Sequence, residues 1–401
     1  MLRFLGFILI SGVGLWMTAS SGNRGQALAD SPPPQAVPAD PKTAGLLAAY
    51  DQYFEAAMAA GEGAPGAAVV IVKDGKVIFE RGYGVRRAGT TDSVDVHTVF
   101  RIGSLSKGFA SVLSARLVQD GLWHWDDPVQ QYFPEFKLRD AGQAARISLR
   151  HVLSHTTGLP YHAYTNLVEA GKTIRQINDY FPQAPLTAAE GRIYTYQNAV
   201  YSVVQEMLPA AVGSSYQTLL EEKIFRPAGM AHASVRYEDM LAEPNKSFPH
   251  RKTGVGWAPT VITPRYYNAA PAGGVNASIS DMGAWLQLLL GHKPEIIADT
   301  TLDAVFRPLV RSENDRRFFC GRPGTRTCWY ALGWRVVQQG EDAIVYHGGF
   351  VNDYKSEIAF DRARGLGICV LFNGAAPLAK TCVPAFFELC DAWEAGVGGV
   401  E

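Results

Sequence analysis

Cysteine is scarce in this sequence, with five residues among 401 and no Cys-x-x-Cys pair. Without such a pair, the sequence does not support a cysteine zinc site or a thioredoxin-like function. Cys320 and Cys328 flank a Gly/Pro-containing loop that allows them to pair in an oxidising compartment. Cys382 and Cys390 lie eight positions apart in an apparent helix, a rise of roughly 12 Å that prevents them from pairing with each other. Cys369 stands in the apolar run GLGICVLF and is predicted to be a buried thiol.

A strong charge of one sign is also missing. The net charge is −1 and no long acidic or basic run occurs, so the sequence gives no electrostatic reason for binding to nucleic acid or to an anionic membrane. The composition, 47% apolar and 19% charged, is typical of a soluble globular protein. The chain is long enough for one large domain or two, and we expect its partner to be a small-molecule substrate.

Three hydrolase signatures are absent. No G-x-S-x-G elbow occurs, which argues against an α/β-hydrolase. His151 and His155 are four residues apart, but neither H-E-x-x-H nor H-x-H-x-D accompanies them, which argues against a zinc hydrolase. The HTTG that begins at His155 indicates the end of a helix, so we interpret both histidines as capping or packing residues. No metal and no organic cofactor is expected.

The N-terminus has the pattern of an export signal. A basic residue precedes the apolar stretch FLGFILISGVGLWMTA, and the small residues Ala27 and Ala29 predict cleavage before Asp30. Residues 1–29 are therefore predicted to be a signal peptide, and residues 30–43 a Pro-rich linker. We expect a periplasmic or secreted protein with no stable membrane span after signal removal.

The remaining sequence, residues 44–401, is predicted to form one α+β domain. Two apolar runs around an Asp-Gly turn predict a hairpin, and strand-like runs follow one another from YALGWRVVQ to GLGICVLFN. We expect an antiparallel five-stranded sheet flanked by N- and C-terminal helices, in a sheet lobe covering about 44–98 and 325–401. The intervening residues, about 99–324, predict helices and long loops and are expected to form an inserted, mainly helical lobe. A cleft between the lobes is the expected substrate site.

FRIGSLSKGF contains the only Ser-x-x-Lys pair in the chain, Ser104 and Lys107. On a helix the i and i+3 side chains share a face. A serine in the first turn faces unsatisfied backbone N–H groups and the positive end of the helix dipole. A lysine buried there has a lowered pKa and is a usable base for the serine hydroxyl. Taken alone, such a pair is more often a helix cap and a solvated lysine, and Ser106 has no lysine at i+3.

Tyr-x-Asn occurs three times, at Tyr164, Tyr196 and Tyr266, so the pattern alone is weak. Tyr196 and Asn198 stand in EGRIYTYQNAVYSVVQEML, an extended piece that enters an amphipathic helix. A tyrosine there is placed to share a proton with the lysine and to protonate a leaving group. The asparagine is placed to bind a substrate amide and to hold the lysine. The other two tyrosines are interpreted as loop packing.

Two segments are candidates for the strand that places backbone N–H and C=O groups beside the serine. His347 stands on a strand candidate in VYHGGFVNDYKSEIAF, where Gly348 and Gly349 let the backbone approach a bound substrate closely. A literal Lys-Thr-Gly begins at Lys252, but its surroundings are loop-like and lie in the helical middle of the chain. We therefore prefer His347 and interpret Lys252 as a surface lysine.

Together these motifs resemble the serine β-lactamase and penicillin-binding superfamily, in its class C-like branch with D-Ala peptidases and related esterases. The resemblance extends over nearly the whole mature chain, because HVLSHTTGLP, IFRPAGM, PAGGVNASISDMGAW and YALGWRV also resemble family segments in family order. It implies the β-lactamase/transpeptidase-like fold and a serine hydrolase that needs no metal or cofactor.

The resemblance also implies a role for each site residue. Ser104 attacks a carbonyl and is acylated, Lys107 and Tyr196 handle its proton, and Tyr196 passes a proton to the leaving group. Asn198 positions the substrate and the lysine. The backbone N–H groups of Ser104 and Phe350 form the oxyanion hole. Water then hydrolyses the acyl-enzyme.

His347 departs from the family pattern, which usually has a lysine there to hold a substrate carboxylate. A neutral imidazole binds a carboxylate more weakly, and protonation restores part of that binding at lower pH. No Glu in the sequence is followed by an Asn at the fourth position after it, so the class A deacylation motif is missing. The expected substrates are β-lactams or D-amino-acid amides. The alternatives are a short-chain carboxylesterase and a penicillin- or peptidoglycan-binding sensor that does not turn over.

Overall fold

The first described helix begins earlier than the sequence predicts. The computed structural model describes residues 40–312, 325–339 and 342–396. The predicted signal peptide and most of the linker therefore lie outside the described residues. Helix α1 (Pro41–Ala59) begins inside the predicted linker, because the Asp40 carboxylate accepts hydrogen bonds from the backbone N–H groups of Lys42 and Thr43. Proline suits the first helical position, since its missing N–H needs no partner there.

One antiparallel sheet of eight strands organises the described residues. The strands of the structure are β1 (Gly66–Lys73), β2 (Lys76–Gly84), β3 (Phe100–Arg101), β4 (His250–Thr253), β5 (Gly256–Pro259), β6 (Asn276–Ala277), β7 (Val310–Arg311), β8 (Thr325–Tyr330), β9 (Arg335–Gln339), β10 (Asp342–Val351), β11 (Tyr354–Asp361) and β12 (Leu366–Phe372). The large sheet has the order β2-β1-β12-β11-β10-β9-β8-β7. The other strands pair as β3 with β6 and β4 with β5.

The prediction of five strands is wrong, because strands at one edge leave little apolar signal. The run YALGWRVVQ, interpreted as one strand, contains a turn: β8 ends at Tyr330, Gly333 has a φ of +77°, and β9 starts at Arg335. β8 mixes polar with apolar residues, and β7 has only two residues. Short or half-polar edge strands are hard to distinguish from loops by hydrophobic pattern. The α+β class itself is confirmed.

All described helices except α1 and α16 lie between β3 and β7 in the sequence. The described helices after α1 are α2 (Ser106–Gln119), α3 (Val129–Tyr132), α4 (Ala141–Arg146), α5 (Leu149–Leu153), α6 (Thr165–Glu169), α7 (Ile174–Asn178), α8 (Asn198–Tyr201), α9 (Val204–Val212), α10 (Tyr216–Leu220), α11 (Arg226–Ala228), α12 (Tyr237–Ala242), α13 (Ala270–Gly273), α14 (Ile279–Leu289), α15 (Asp299–Phe306) and α16 (Cys382–Glu394). Single 3₁₀ turns cover Gly103–Leu105, Phe181–Gln183, Tyr267–Ala269 and Pro377–Lys380, and a π-helical turn covers Glu221–Phe225. Among the residues that the structure describes, no helix is long and apolar enough to cross a membrane.

The sheet is buried on both faces, which explains its long apolar runs. Along β1, Ala68, Val70 and Val72 belong to the core that the sheet shares with the helical region. The alternate side chains of β1 belong to a second core, together with Phe54 of α1 and Phe386 of α16. Successive side chains of a strand point to opposite faces. Because both faces are covered here, both sets are apolar.

Helix α2 passes through the first core and carries the lysine of the Ser-x-x-Lys pair. Every residue from Ser106 to Ala115 is buried. Small residues allow this close packing of α2. A Cβ on Gly108 would lie only 2.3 Å from the Trp334 side chain and would clash with it. A helix that is packed on all sides is a rigid support, so the residues at its N-terminus are held in place.

The cysteine predictions are confirmed where the structure tests them. Cys369, Cys382 and Cys390 are buried free thiols, and Cys382 and Cys390 therefore do not pair with each other. Cys328 is disulfide-bonded. Its predicted partner, Cys320, lies outside the described residues.

Candidate active site

Ser104 lies where a tight turn meets strand β10. It belongs to the 3₁₀ turn immediately before α2. Gly103 has a φ of +55°, and a Cβ on it would lie 2.8 Å from the backbone N of Phe350. A Cβ on Gly349 would lie 2.2 Å from the carbonyl O of Ile102. Only glycine permits both approaches, so the predicted oxyanion strand packs directly beside the serine.

Lys107 is fully buried, and its Nζ has three oxygen neighbours. The distances from Nζ are 2.8 Å to Asn198 Oδ1, 2.9 Å to the carbonyl O of Ala272 and 3.3 Å to Ser104 Oγ. Burial, together with the nearby Arg335 guanidinium, holds the pKa of Lys107 well below its ordinary value. The structure thus brings three predicted residues together around one amine.

Tyr196 packs against this amine from another side. Lys107 Nζ lies 4.7 Å from the centroid of the Tyr196 ring, and the Arg335 guanidinium carbon lies 5.4 Å from it. Tyr196 stands two residues before Asn198, at which α8 begins. The predicted extended entry into a helix therefore positions both residues of the Tyr-x-Asn motif at the site.

His155 packs behind Tyr196. It is fully buried, and its ring centroid lies 4.5 Å from that of Tyr196 and 4.9 Å from that of Tyr330. Its Nδ1 accepts the backbone N–H of Gln197, so a neutral ring carries its proton on Nε2. Burial and the charge of Lys107 lower the pKa of His155 well below its ordinary value. The ring is therefore a neutral support for the segment that carries Tyr196.

A His155→Ala variant is expected to lower kcat about 10- to 100-fold with little change in KM, because a small displacement of the Tyr196 segment misaligns a proton-transfer group. His155→Asn is the matched control. Asparagine tolerates the φ of +59° at this position and keeps a side-chain acceptor, so it should retain more activity than alanine. Steady-state kinetics and thermal unfolding test this. Wild-type kcat in the alanine variant would contradict it.

A cavity of about 630 Å³ opens over Ser104. Five of the predicted site residues line it: Ser104, Tyr196, Asn198, Gly349 and Phe350. Lys107 and His347 lie behind its wall, with 0% and 1% of their surfaces exposed. In the described part of the chain, no group of three or more His, Cys, Asp or Glu side chains is arranged to hold a metal ion.

Arg335 is a cation of this cavity that the sequence analysis did not identify. Its Nη1 lies 3.2 Å from His347 Nε2, and His347 Nδ1 lies 2.9 Å from the carbonyl O of Gly348. The imidazole therefore donates from Nδ1 and accepts at Nε2. Burial and the Arg335 charge lower the pKa of His347 well below its ordinary value. His347 thus supports Arg335 as a neutral acceptor and does not itself reach the cavity.

Three motif matches are not assigned to the site by the sequence, namely Lys252, Tyr164 and Tyr266, and the structure places them differently. Lys252 is exposed, with Nζ 5.8 Å from the Trp257 ring centroid, although it lies on strand β4 and not in a loop. Tyr164 packs against aromatic side chains of the helical region. Tyr266, in contrast, lines the cavity, and its hydroxyl oxygen accepts a hydrogen bond from Asn198 Nδ2 at 3.2 Å. The interpretation of Tyr266 as loop packing alone is therefore wrong.

The chain belongs to the beta-lactamase family, because the sequence profile of that family, described as Beta-lactamase, matches residues 50–389. The resemblance to the β-lactamase family that the motifs predict is confirmed. The octameric penicillin-binding protein homologue from Pyrococcus abyssi has a similar structure, with a TM-score of 0.72, covering 85% of this chain and 77% of that chain. At 20% sequence identity, this similarity supports a shared fold.

Two curated relatives extend the comparison. Unguisins hydrolase ungD of Aspergillus violaceofuscus is 26% identical over 334 residues, and Protein flp of Staphylococcus aureus strain N315 is 25% identical over 317 residues. Both alignments cover 77% of this chain. They cover 58% and 59% of the relatives, so the chain spans less than two thirds of the length of either protein.

Proposed function

We propose that the protein is a serine hydrolase that acts through an acyl-enzyme on Ser104. The observation that carries this proposal is the buried amine of Lys107, which contacts Ser104 Oγ and two carbonyl oxygens. A neutral amine has two N–H groups and one lone pair. The oxygens of Asn198 and Ala272 accept the two N–H groups. The lone pair then faces the serine hydroxyl and accepts its proton.

The reaction proceeds in two stages. Ser104 Oγ gives its proton to Lys107 and bonds to the substrate carbonyl carbon, while the carbonyl oxygen takes the negative charge opposite the N–H groups of Ser104 and Phe350. As the bond to the leaving group breaks, Tyr196 gives that group a proton and regains one from Lys107. Water then attacks the acyl-enzyme, and the released proton passes back to Ser104 Oγ through the same lysine and tyrosine.

We propose substrates that carry a carboxylate beside the scissile amide, as β-lactams and D-amino-acid peptides do, in keeping with a class C-like or D-Ala peptidase-like activity. Arg335 lines the cavity and is held by His347. A planar guanidinium binds a carboxylate through two N–H groups. Membership of the beta-lactamase family and the hydrolase among the relatives support hydrolysis as the reaction. A short-chain ester lacks this carboxylate and is the weaker candidate.

An Arg335→Gln variant is expected to lower kcat/KM roughly 10- to 100-fold, mainly through KM, for a substrate with a free carboxylate, because a charged hydrogen bond is lost. The methyl ester of the same substrate is expected to lose much less. Kinetics with the acid and its ester, measured at a pH where activity no longer rises, give the comparison. Lys252→Gln removes an exposed cation outside the cavity and is the matched control. An equal loss for the acid and the ester would contradict this role.

Hydrolysis of three compounds by the purified protein tests the proposed function. They are a penicillin, an acylated D-alanyl-D-alanine peptide and p-nitrophenyl butyrate. We expect a higher kcat/KM for the penicillin or the peptide than for the butyrate. A preference for the butyrate favours the carboxylesterase instead. A covalent penicillin adduct that persists without turnover favours the sensor.

A further inference from the structure

A second cavity adjoins the candidate active site. It also has a volume of about 630 Å³, and Glu169 and Arg265 line both cavities. Both residues are exposed, and within the described ranges neither side chain takes part in an ion pair. The two cavities therefore share two long side chains that can move without breaking an ion pair, and Glu169 Oε1 accepts a hydrogen bond from the Tyr266 hydroxyl at 3.4 Å.

Two aromatic rings form a fixed wall of the second cavity. The ring centroids of Tyr237 and Tyr267 lie 5.6 Å apart, and their hydroxyls donate to the carbonyl O of Ile262 and to Asn276 Oδ1. The guanidinium carbon of the buried Arg101 lies 4.3 Å from the centroid of the Tyr267 ring. These contacts hold an apolar surface ready for a ligand.

Charges of both signs surround this wall. Four charged side chains line the second cavity: Arg236 and Arg265 are cations, and Glu169 and Glu238 are anions. An apolar acyl chain would remove these charges from water without a compensating partner. A polyanion would meet as many carboxylates as guanidinium groups. A ligand that carries both ammonium and carboxylate groups complements all four residues.

We infer that the second cavity is an extension of the substrate site, which binds the distal residues of a peptide that carries charges of both signs. This inference rests on the proposed function, since the scissile bond is taken to lie at Ser104. A cavity of this size is large enough for a ligand of several hundred daltons. A peptide that fills the active-site cavity continues past Glu169 and Arg265 into the second one.

Two substrates with the same acylated D-alanyl-D-alanine bond test the inference, one short and one extended at its N-terminus by residues that include Lys and Glu. We expect kcat/KM of the wild type to be roughly tenfold higher for the long substrate. The double variant Arg236→Gln/Glu238→Gln should lower the long-to-short ratio about fivefold. Arg139→Gln/Glu295→Gln removes two exposed charges outside both cavities and should leave the ratio unchanged.

A long-to-short ratio near one in the wild type, or an unchanged ratio in the Arg236/Glu238 variant, overturns the inference. An extension of neutral sugars that raises kcat/KM as much as the charged peptide also overturns it. If neither substrate is hydrolysed, the proposed function fails separately. Calorimetric binding of the two peptides to Ser104→Ala then tests the second cavity alone. Tighter binding of the long peptide supports the inference, and equal binding overturns it.

Discussion

A Ser104→Ala variant is expected to lose at least about 10⁴-fold in kcat/KM with every substrate that the protein hydrolyses. The substitution removes the hydroxyl that contacts Lys107 Nζ, so no acyl-enzyme can form and the remaining groups bind substrate without cleaving it. Folding is expected to be retained, because the serine is only partly buried and its loss leaves no large cavity. Kinetics and thermal unfolding of the purified variant measure both effects.

Ser114→Ala is the matched control for this prediction. Ser114 lies on α2, the helix that follows Ser104 and carries Lys107, and its buried hydroxyl donates to the carbonyl O of Ala110 at 2.7 Å, away from the cavity. Its removal is expected to change stability slightly and to leave kcat/KM within about twofold. Full activity in Ser104→Ala, or an equal loss in both variants, would remove the case for Ser104 as the nucleophile.

A Lys107→Met variant is expected to lose about 10³- to 10⁴-fold in kcat, because methionine has a similar length but no group that accepts the serine proton. The oxygens of Asn198 and Ala272 also lose their donor, so the melting temperature has to be measured beside the rate. A folded variant that keeps wild-type kcat would show that another group acts as the base.

The pH dependence of the wild type provides a second test of the same lysine. Only the neutral amine accepts a proton, so kcat/KM is expected to rise with pH as Lys107 loses its proton and then to level off. Because the pKa of Lys107 is held well below its ordinary value, this rise falls well below the range in which an ordinary lysine titrates. Removing the neighbouring charge in Arg335→Gln raises the pKa of Lys107, so the rise moves to higher pH. A shift to lower pH would contradict the assignment.

Site residues that lie close to one another in the sequence could be predicted from their spacing. Ser104 and Lys107 are three positions apart, in the 3₁₀ turn before α2 and in the first turn of α2, and Tyr196 and Asn198 stand at the entry to α8. In each case the backbone conformation of a few residues decides which side chains share a face. The spacing therefore predicts that these four residues share one candidate site, and the structure places the other three around the amine of Lys107.

Residues that reach the site through tertiary packing could not be predicted. Arg335 starts strand β9 inside a run whose pattern predicts a single strand, so the sequence shows neither the turn before Arg335 nor its contact with His347. Tyr266 lies in a loop and meets Asn198 across 68 residues. His155 was interpreted as a capping or packing residue, but the sequence does not show that it packs on Tyr196. Each of these contacts depends on the arrangement of separate elements, which periodicity does not encode.

The most direct test of the central claim, that Ser104 is acylated, is an intact-mass time course of the protein with a penicillin beside the Ser104→Ala variant. We expect an added mass equal to one penicillin molecule on the wild type alone, which decays as hydrolysed drug appears. Fast turnover would keep the adduct scarce, and the drug would then disappear with the wild type only. An adduct on both proteins, or intact drug beside unmodified wild type, would contradict acylation of Ser104.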